Sequence, residues 1–354
     1  MDGLVVPLSG SNPDRPSAGH HLARLDGCRA IAILTVMLGH MFPVGRAEWG
    51  GNVAISSIGM AVFFALSGFL IVSLLLRDDA VVPFIIKRLF RIVPLAWLFT
   101  LVVIAGQGAS WDVIGANLFF FANTQKAWLV YAPHFWSLSV EVQFYAFVAL
   151  LVAIGGRRAL WLLPPLAIAV TAWRVGHHAT FGSHTFDRVD EIMAGGTLAL
   201  LVAKRWQPPR WARSPVLVVG LFVLLFFGML KPVVAAVPVI AYARPYLATL
   251  LVGLSLTMGD SALARILGGR ILGYVARISY ALYVLHPLTY AGWMGSGDVA
   301  VRYTKRMFSL LLAFAGAHVS TFYFEQPLTR LGRRIADRWS RPVRGAPHQV
   351  AGVA

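Results

Sequence analysis

Apolar runs of membrane length alternate with short polar segments along almost the whole chain. Most are too long for strands and long enough, at about 1.5 Å rise per residue, to span most of a bilayer core of about 30 Å as helices. Ten spans follow from the pattern: 26–42, 55–76, 92–105, 135–154, 159–173, 192–203, 216–230, 246–258, 271–293 and 308–324. The eighth is the weakest, because Pro238 and Pro245 interrupt its apolar run and a helix is expected to begin only after them. The aromatic piece ANLFFFAN, between the third and fourth spans, is a candidate to dip back into the membrane. No internal repeat or second domain is visible. The expected fold is an all-α polytopic integral membrane protein of about ten transmembrane helices. Its membrane domain covers 22–335, between a flexible tail at 1–21 and a basic tail at 336–354.

Composition agrees. Of the 354 residues 58% are hydrophobic and 13% charged, with mean hydropathy +0.69, where a soluble domain has about a quarter charged. The net charge of +16 does not imply a nucleic-acid partner, because the basic residues lie between apolar segments and at the C-terminus, with no continuous soluble surface. Their distribution sets orientation instead. With both termini in the cytoplasm, 22 of the 31 Lys and Arg residues fall on the inner side of the ten spans, as the positive-inside rule requires. The first 24 residues have no apolar core or small-residue cleavage site of a signal peptide, so the first helix is expected to act as the targeting signal. The single cysteine, Cys28, excludes an internal disulfide and a Cys-based metal cluster. No H-E-x-x-H, C-x-x-C or Walker spacing is present, and no metal site is expected.

Against this apolar background a few ionisable groups stand out, since each is costly in a membrane helix. Arg29 and His40 share one face of the first helix, about 16 Å apart along it. Orientation puts Arg29 at the cytoplasmic end and His40 in the outer half. Glu141 in the fourth span and His286 in the ninth fall at a similar outer depth, so convergence on one polar cavity is the economical expectation. His40 is the natural general base, with a pKa near neutrality, and Glu141 is the best candidate to orient it. A bonded histidine and a protonated bridging carboxyl are the structural alternatives. Ser137, Glu141 and Tyr145 recur every four residues as a polar stripe, and Trp136 beside them suits an interface anchor. Lys87, Arg88 and Arg91, in the cytoplasmic loop after the second span, read either as a lipid-facing basic patch or as a phosphate clamp that Arg29 joins. Gly59, Ser67 and Gly68 favour close helix packing over binding. Asp187, Arg188, Asp190 and Glu191 open the sixth span and either pair locally or line an acceptor mouth. Glu325 and Pro327 mark a helix end at the cytoplasmic surface.

Six segments then form a series: LDGCRAIAILTVMLGH, GMAVFFALSGFLIVSLLL, FIIKRLFRIVP, HFWSLSVEVQFY, ISYALYVLHP and FEQPLTR. In this order they resemble the membrane-bound acyltransferase-3 family, which includes O-antigen and exopolysaccharide O-acetyltransferases, nodulation-factor acetylases and macrolide acyltransferases. The resemblance covers about 22–335. The family's R-x10-H element maps onto Arg29 and His40, its R-x-x-R element onto Arg88 and Arg91, and its W-S-L-S-V-E-x-Q-F-Y element onto Trp136 to Tyr145. Glu141 is in place, while Val142 stands where the family commonly has a second acidic residue.

The resemblance implies an acyltransferase of the bacterial cytoplasmic (inner) membrane. It would move an acyl group, most often acetyl, from acyl-CoA to a sugar hydroxyl of a cell-surface or exported glycan. His40 and Glu141 would be catalytic, Arg29, Arg88 and Arg91 would hold the acyl-CoA phosphates, and Trp136, Ser139, Tyr145 and His286 would line the substrate channel. Direct transfer and an acyl-histidine intermediate both remain open. A secreted macrolide or lipo-oligosaccharide signal is an alternative acceptor; a flippase for a lipid-linked sugar is a rival function. The implied partners are the bilayer, a sugar-containing acceptor, and either further copies of the chain or a polysaccharide-assembly machinery. Because the chain ends soon after the last helix, the membrane domain is expected to perform the whole reaction or hand on to another protein.

Overall fold

The computed structural model describes residues 18–204, 209–290 and 292–339. The tails expected at 1–21 and 336–354 therefore lie almost wholly outside the described residues. The helices in chain order are α1 (Ala18–Met41), α2 (Gly51–Arg77), α3 (Val81–Phe99), α4 (Trp111–Leu118), α5 (Phe135–Gly155), α6 (Leu163–Gly176), α7 (Thr185–Ala203), α8 (Pro215–Gly228), α9 (Lys231–Ala236), α10 (Val239–Thr257), α11 (Ala262–Leu267), α12 (Arg270–Tyr290), α13 (Val299–Val319) and α14 (Gln326–Asp337). No strand occurs among the described residues.

α2 is the central helix, packed most extensively on α7 and α1 and also on α10, α8 and α5. Its small residues explain how. A Cβ added at Gly68 would lie 1.8 Å from the Ile192 carbonyl oxygen, and one at Gly195 would lie 2.0 Å from that of Ala65. The α2 and α7 backbones touch, which only glycine permits. Gly59 likewise admits Thr35 and Ala32 of α1. α12 packs on α1 and α13, and α14 packs back along α3.

Among the described residues, six helical runs are long and apolar enough to cross a membrane: Gly51–Arg77, Val81–Gln107, Phe135–Gly176, Val239–Thr257, Arg270–Tyr290 and Val299–Asp337. They contain seven of the ten expected spans, because the fourth and fifth join through a tight 3₁₀ segment, Gly156–Leu162, which starts at the left-handed Gly156 (φ 61°). The other three expected spans are helices that miss those limits for visible reasons. α1 carries Arg24, Asp26 and Arg29, α7 carries four charged residues near its start, and α8 has only 14 residues.

Several boundaries differ from the expectation, some because of a local partner and some because of a tertiary one. α1 begins well before 26, so Arg29 sits midway along it and not at its end. There it pairs with Asp26 at 3.5 Å, while Arg24 donates to the Met258 carbonyl at 2.5 Å. α3 begins at Val81, so Arg88 and Arg91 lie on a helix and not in a loop. α10 runs straight through Pro245. The proline leaves the Ala241 carbonyl without a helical donor, and the Arg174 Nη2 of α6 supplies one at 3.1 Å. The last helix does not end at Glu325. A π segment, Ser320–Glu325, carries it into α14, with Ser320 and Thr321 donating to the Glu325 carboxylate at 2.9 and 3.3 Å.

Candidate active site

Three imidazoles meet where three helices end on one side of the bundle. His40 occupies the last turn of α1, His286 lies just before the last turn of α12, and His134 holds the N-cap position of α5. His40 Nδ1 lies 2.9 Å from His286 Nε2. His134 meets His286 edge to face, with ring centroids 5.7 Å apart, and its Nε2 lies 3.2 Å from the Val284 carbonyl. His286 is fully buried and His134 nearly so, whereas His40 is exposed. The Tyr283 hydroxyl bonds the Ser137 hydroxyl and the His134 carbonyl, which ties α12 to the start of α5.

One helical turn beyond Ser137, Glu141 accepts hydrogen bonds from Ser67 of α2, at 2.6 Å, and from the Tyr145 hydroxyl. All three residues are buried. The Arg88 guanidinium lies 5.9 Å from the centre of the Tyr145 ring, and both Arg88 and Arg29 are within electrostatic range of Glu141 and Tyr145. Arg91 couples to both arginines, and Asp26 faces Arg29, Arg91 and Arg277. Arg29 and Arg88 are half-buried and Arg91 is exposed. The structure thus brings together the three arginines expected to act jointly. They lie at one end of a polar track whose other end is His40.

The expected pairing of Glu141 with His40 is not found. Glu141 lies seven residues into α5 from His134, roughly 10 Å along the axis, and its recorded partners are Ser67 and Tyr145. The hydrogen-bonded partner of His40 is His286. Trp136 is enclosed by the Phe64 ring, at 5.8 Å, and by the Arg188 guanidinium over its face, at 4.9 Å. Ser139 turns its hydroxyl back to the Phe135 carbonyl at 3.1 Å, so it offers no donor to the track.

Sequence reasoning missed Ser67 as a ligand of Glu141, and His134 and Tyr283 as members of the cluster. The signal was present. His134, Ser137, Glu141 and Tyr145 form one stripe at spacings of three and four, and Tyr283, His286 and Tyr290 form another.

The charged start of α7 resolves toward pairing. Asp190 accepts from Arg174 at 2.7 Å, and Glu191 from Arg244 at 2.6 Å and Arg188 at 3.3 Å, all buried. This network braces α6, α7 and α10.

Residues 22–325 match the family model described as an acyltransferase domain. A Staphylococcus aureus (strain COL) protein provisionally named an O-acetyltransferase is 26% identical over 317 residues, covering 75% of this chain and 50% of its own. A Komagataeibacter xylinus protein provisionally named the membrane-bound transacylase BcsY is 28% identical over 246 residues, 60% of each chain. Nodulation protein 10 of Rhizobium leguminosarum bv. viciae is 26% identical over 200 residues, 47% of this chain and 54% of its own. The chain spans about half the length of the Staphylococcus relatives it matches. No solved structure matches it. With no strand among its described residues and a family match running from residue 22 in α1 to Glu325, the chain belongs to the membrane-bound acyltransferase-3 family.

Proposed function

We propose that the chain is an O-acyltransferase of the bacterial cytoplasmic membrane, moving an acyl group, acetyl foremost, from cytoplasmic acyl-CoA to a sugar hydroxyl of a cell-surface or exported glycan. The observation that carries this reading is the polar track. It has one accessible imidazole at His40, three clustered guanidiniums at Arg29, Arg88 and Arg91, and buried hydroxyls and a carboxylate between them. Guanidiniums suit the phosphates of CoA. The pantetheine arm is on the order of the 16 Å that separates Arg29 from His40 along α1, so the thioester reaches the imidazole while the nucleotide stays at the arginines. With both termini inside, the arginine end is the cytoplasmic one.

In the proposed step His40 takes the proton of the acceptor hydroxyl as its oxygen attacks the thioester carbonyl. The new ester C–O bond forms, the C–S bond breaks, and the thiolate of CoA leaves with the proton held on His40. Glu141 serves the donor end in this scheme. Its carboxylate fixes Tyr145 and Ser67 beside Arg88 and partly offsets the charge of Arg29 and Arg88.

The direct test is the mass of cell-surface glycans from cells with and without this chain. One acetyl added to a sugar only when the chain is present is the expected result, and unchanged glycans in both cells would sink the acceptor assignment. The donor end has its own test. Arg88→Ala with Arg91→Ala should raise the KM for acyl-CoA by about tenfold or more, the loss of one or two charge-assisted contacts, with the KM for the acceptor little changed. Equal effects on both substrates would remove the arginines from the donor site.

A further inference from the structure

We infer that His286, through a carbonyl that Pro287 sets free, is the positioning residue that holds His40 in the tautomer with Nδ1 protonated and Nε2 available as base. The inference rests on the reading of His40 as the base.

The argument begins with the proline. Pro287 sits in the last turn of α12 and has no N–H, so the Tyr283 carbonyl four residues earlier has no ladder donor. His286 Nδ1 lies 2.8 Å from that oxygen and 3.1 Å from the Leu282 carbonyl. A carbonyl only accepts, so Nδ1 of His286 carries a proton. In a neutral imidazole the other nitrogen is then an acceptor, and His286 Nε2 faces His40 Nδ1 at 2.9 Å. His40 Nδ1 must therefore be the donor, which leaves its Nε2 lone pair unprotonated. The two rings are within 9° of parallel with centroids 5.1 Å apart. That separation exceeds the N···N distance by about two ring radii, so the rings meet end-on in nearly one plane, where the nitrogen lone pair points.

Burial makes the arrangement firm. His286 is fully enclosed by the rings of His134, Tyr283 and Tyr290 and that of His40 itself. Histidine bases in other enzymes are commonly oriented by a carboxylate on Nδ1–H. Here a neutral imidazole takes that position, anchored in turn to the backbone. When His40 Nε2 gains the proton of the acceptor, Nδ1–H remains donated to His286 Nε2, and the new charge is shared across that bond without a buried carboxylate nearby to trap it.

The test uses the full-length chain, labelled with ¹⁵N-histidine and reconstituted in lipid nanodiscs, where ¹⁵N shifts distinguish the two tautomers. In the unmodified protein His40 should show protonated Nδ1 and bare Nε2. His286→Leu should release that preference and lower acetyl on cell-surface glycan on the order of a hundredfold at equal protein level. His286→Gln should keep His40 in the same tautomer and stay within about tenfold, because the amide oxygen accepts from His40 while the amide N–H₂ donates to the Tyr283 carbonyl. Pro287→Ala, which restores an N–H that competes for that carbonyl, should give His40 a mixture of tautomers. Nε2-protonated His40 in the unmodified protein, or a glutamine variant as damaged as the leucine one, overturns the inference. If the tautomers come out as expected while His40→Ala still transfers acetyl, the reading of His40 as base fails and the orienting role of His286 stands.

Discussion

His40→Ala should lower acyl transfer by roughly 10²–10⁴-fold, the range that a positioned general base supplies, while leaving the fold and the amount of protein in the membrane unchanged. The reasoning is local. His40 lies in the last turn of α1 and is exposed, so removing its ring opens no cavity in the core. It does remove the one imidazole of the three that an acceptor can reach, since His286 is fully buried and His134 is 6% exposed. The measurement is glycan acetylation in cells, with helical content and melting of the purified variant as controls. Transfer within tenfold of the original would move the base elsewhere, and a transporter rather than an enzyme would leave acetylation to another protein altogether.

Glu191→Leu should destabilise the protein by about 3–5 kcal/mol, the cost of stripping one partner from a buried ion pair. Glu191 accepts from two guanidiniums at once, those of Arg244 and Arg188, and none of the three side chains is more than 3% exposed. Without it two cations face each other inside the bundle. The network is already short of partners: Arg188 Nε, Arg244 Nη2 and Asp190 Oδ1 are buried without a hydrogen bond. It therefore has little slack with which to rearrange. Glu191→Gln, which keeps an acceptor oxygen, should lose distinctly less. Thermal unfolding in detergent measures both, and a loss below about 1 kcal/mol for the leucine variant would assign the stability of the α6–α7–α10 corner to packing alone. Because Arg188 also lies over Trp136, the same variant should disturb the α5 side of the site.

Much of the architecture was legible in the chain. Helical class, the positions of most helices and the close packing of α2 on some neighbour follow from apolar run length and small-residue spacing, which act locally, while α7 as that neighbour comes from the tertiary structure. The proximity of Arg91 to both Arg29 and Arg88 was legible too, because a motif series placed all three at the same end of the membrane domain. The boundaries were less so. Pro245 looked like a break and is not one, since a donor from α6 replaces the missing N–H. Arg29 looked like a helix end and is not one, since Asp26 accompanies it into the helix.

The partner of His40 illustrates the same limit. Residue type made Glu141 the obvious choice, as a carboxylate is the usual companion of a catalytic histidine. Depth decided otherwise. Two turns of α5 put Glu141 beside Ser67 and Tyr145, near the arginines, while the end of α12 delivers His286 to His40. By itself the sequence determined which ionisable residues the membrane domain carries and that each needed a partner, because an unpaired charge in an apolar helix is expensive. Only the tertiary structure decided who that partner is, because a hydrogen bond requires atoms within about 3 Å, and spacing along one helix leaves the rotation and height of its neighbours undetermined.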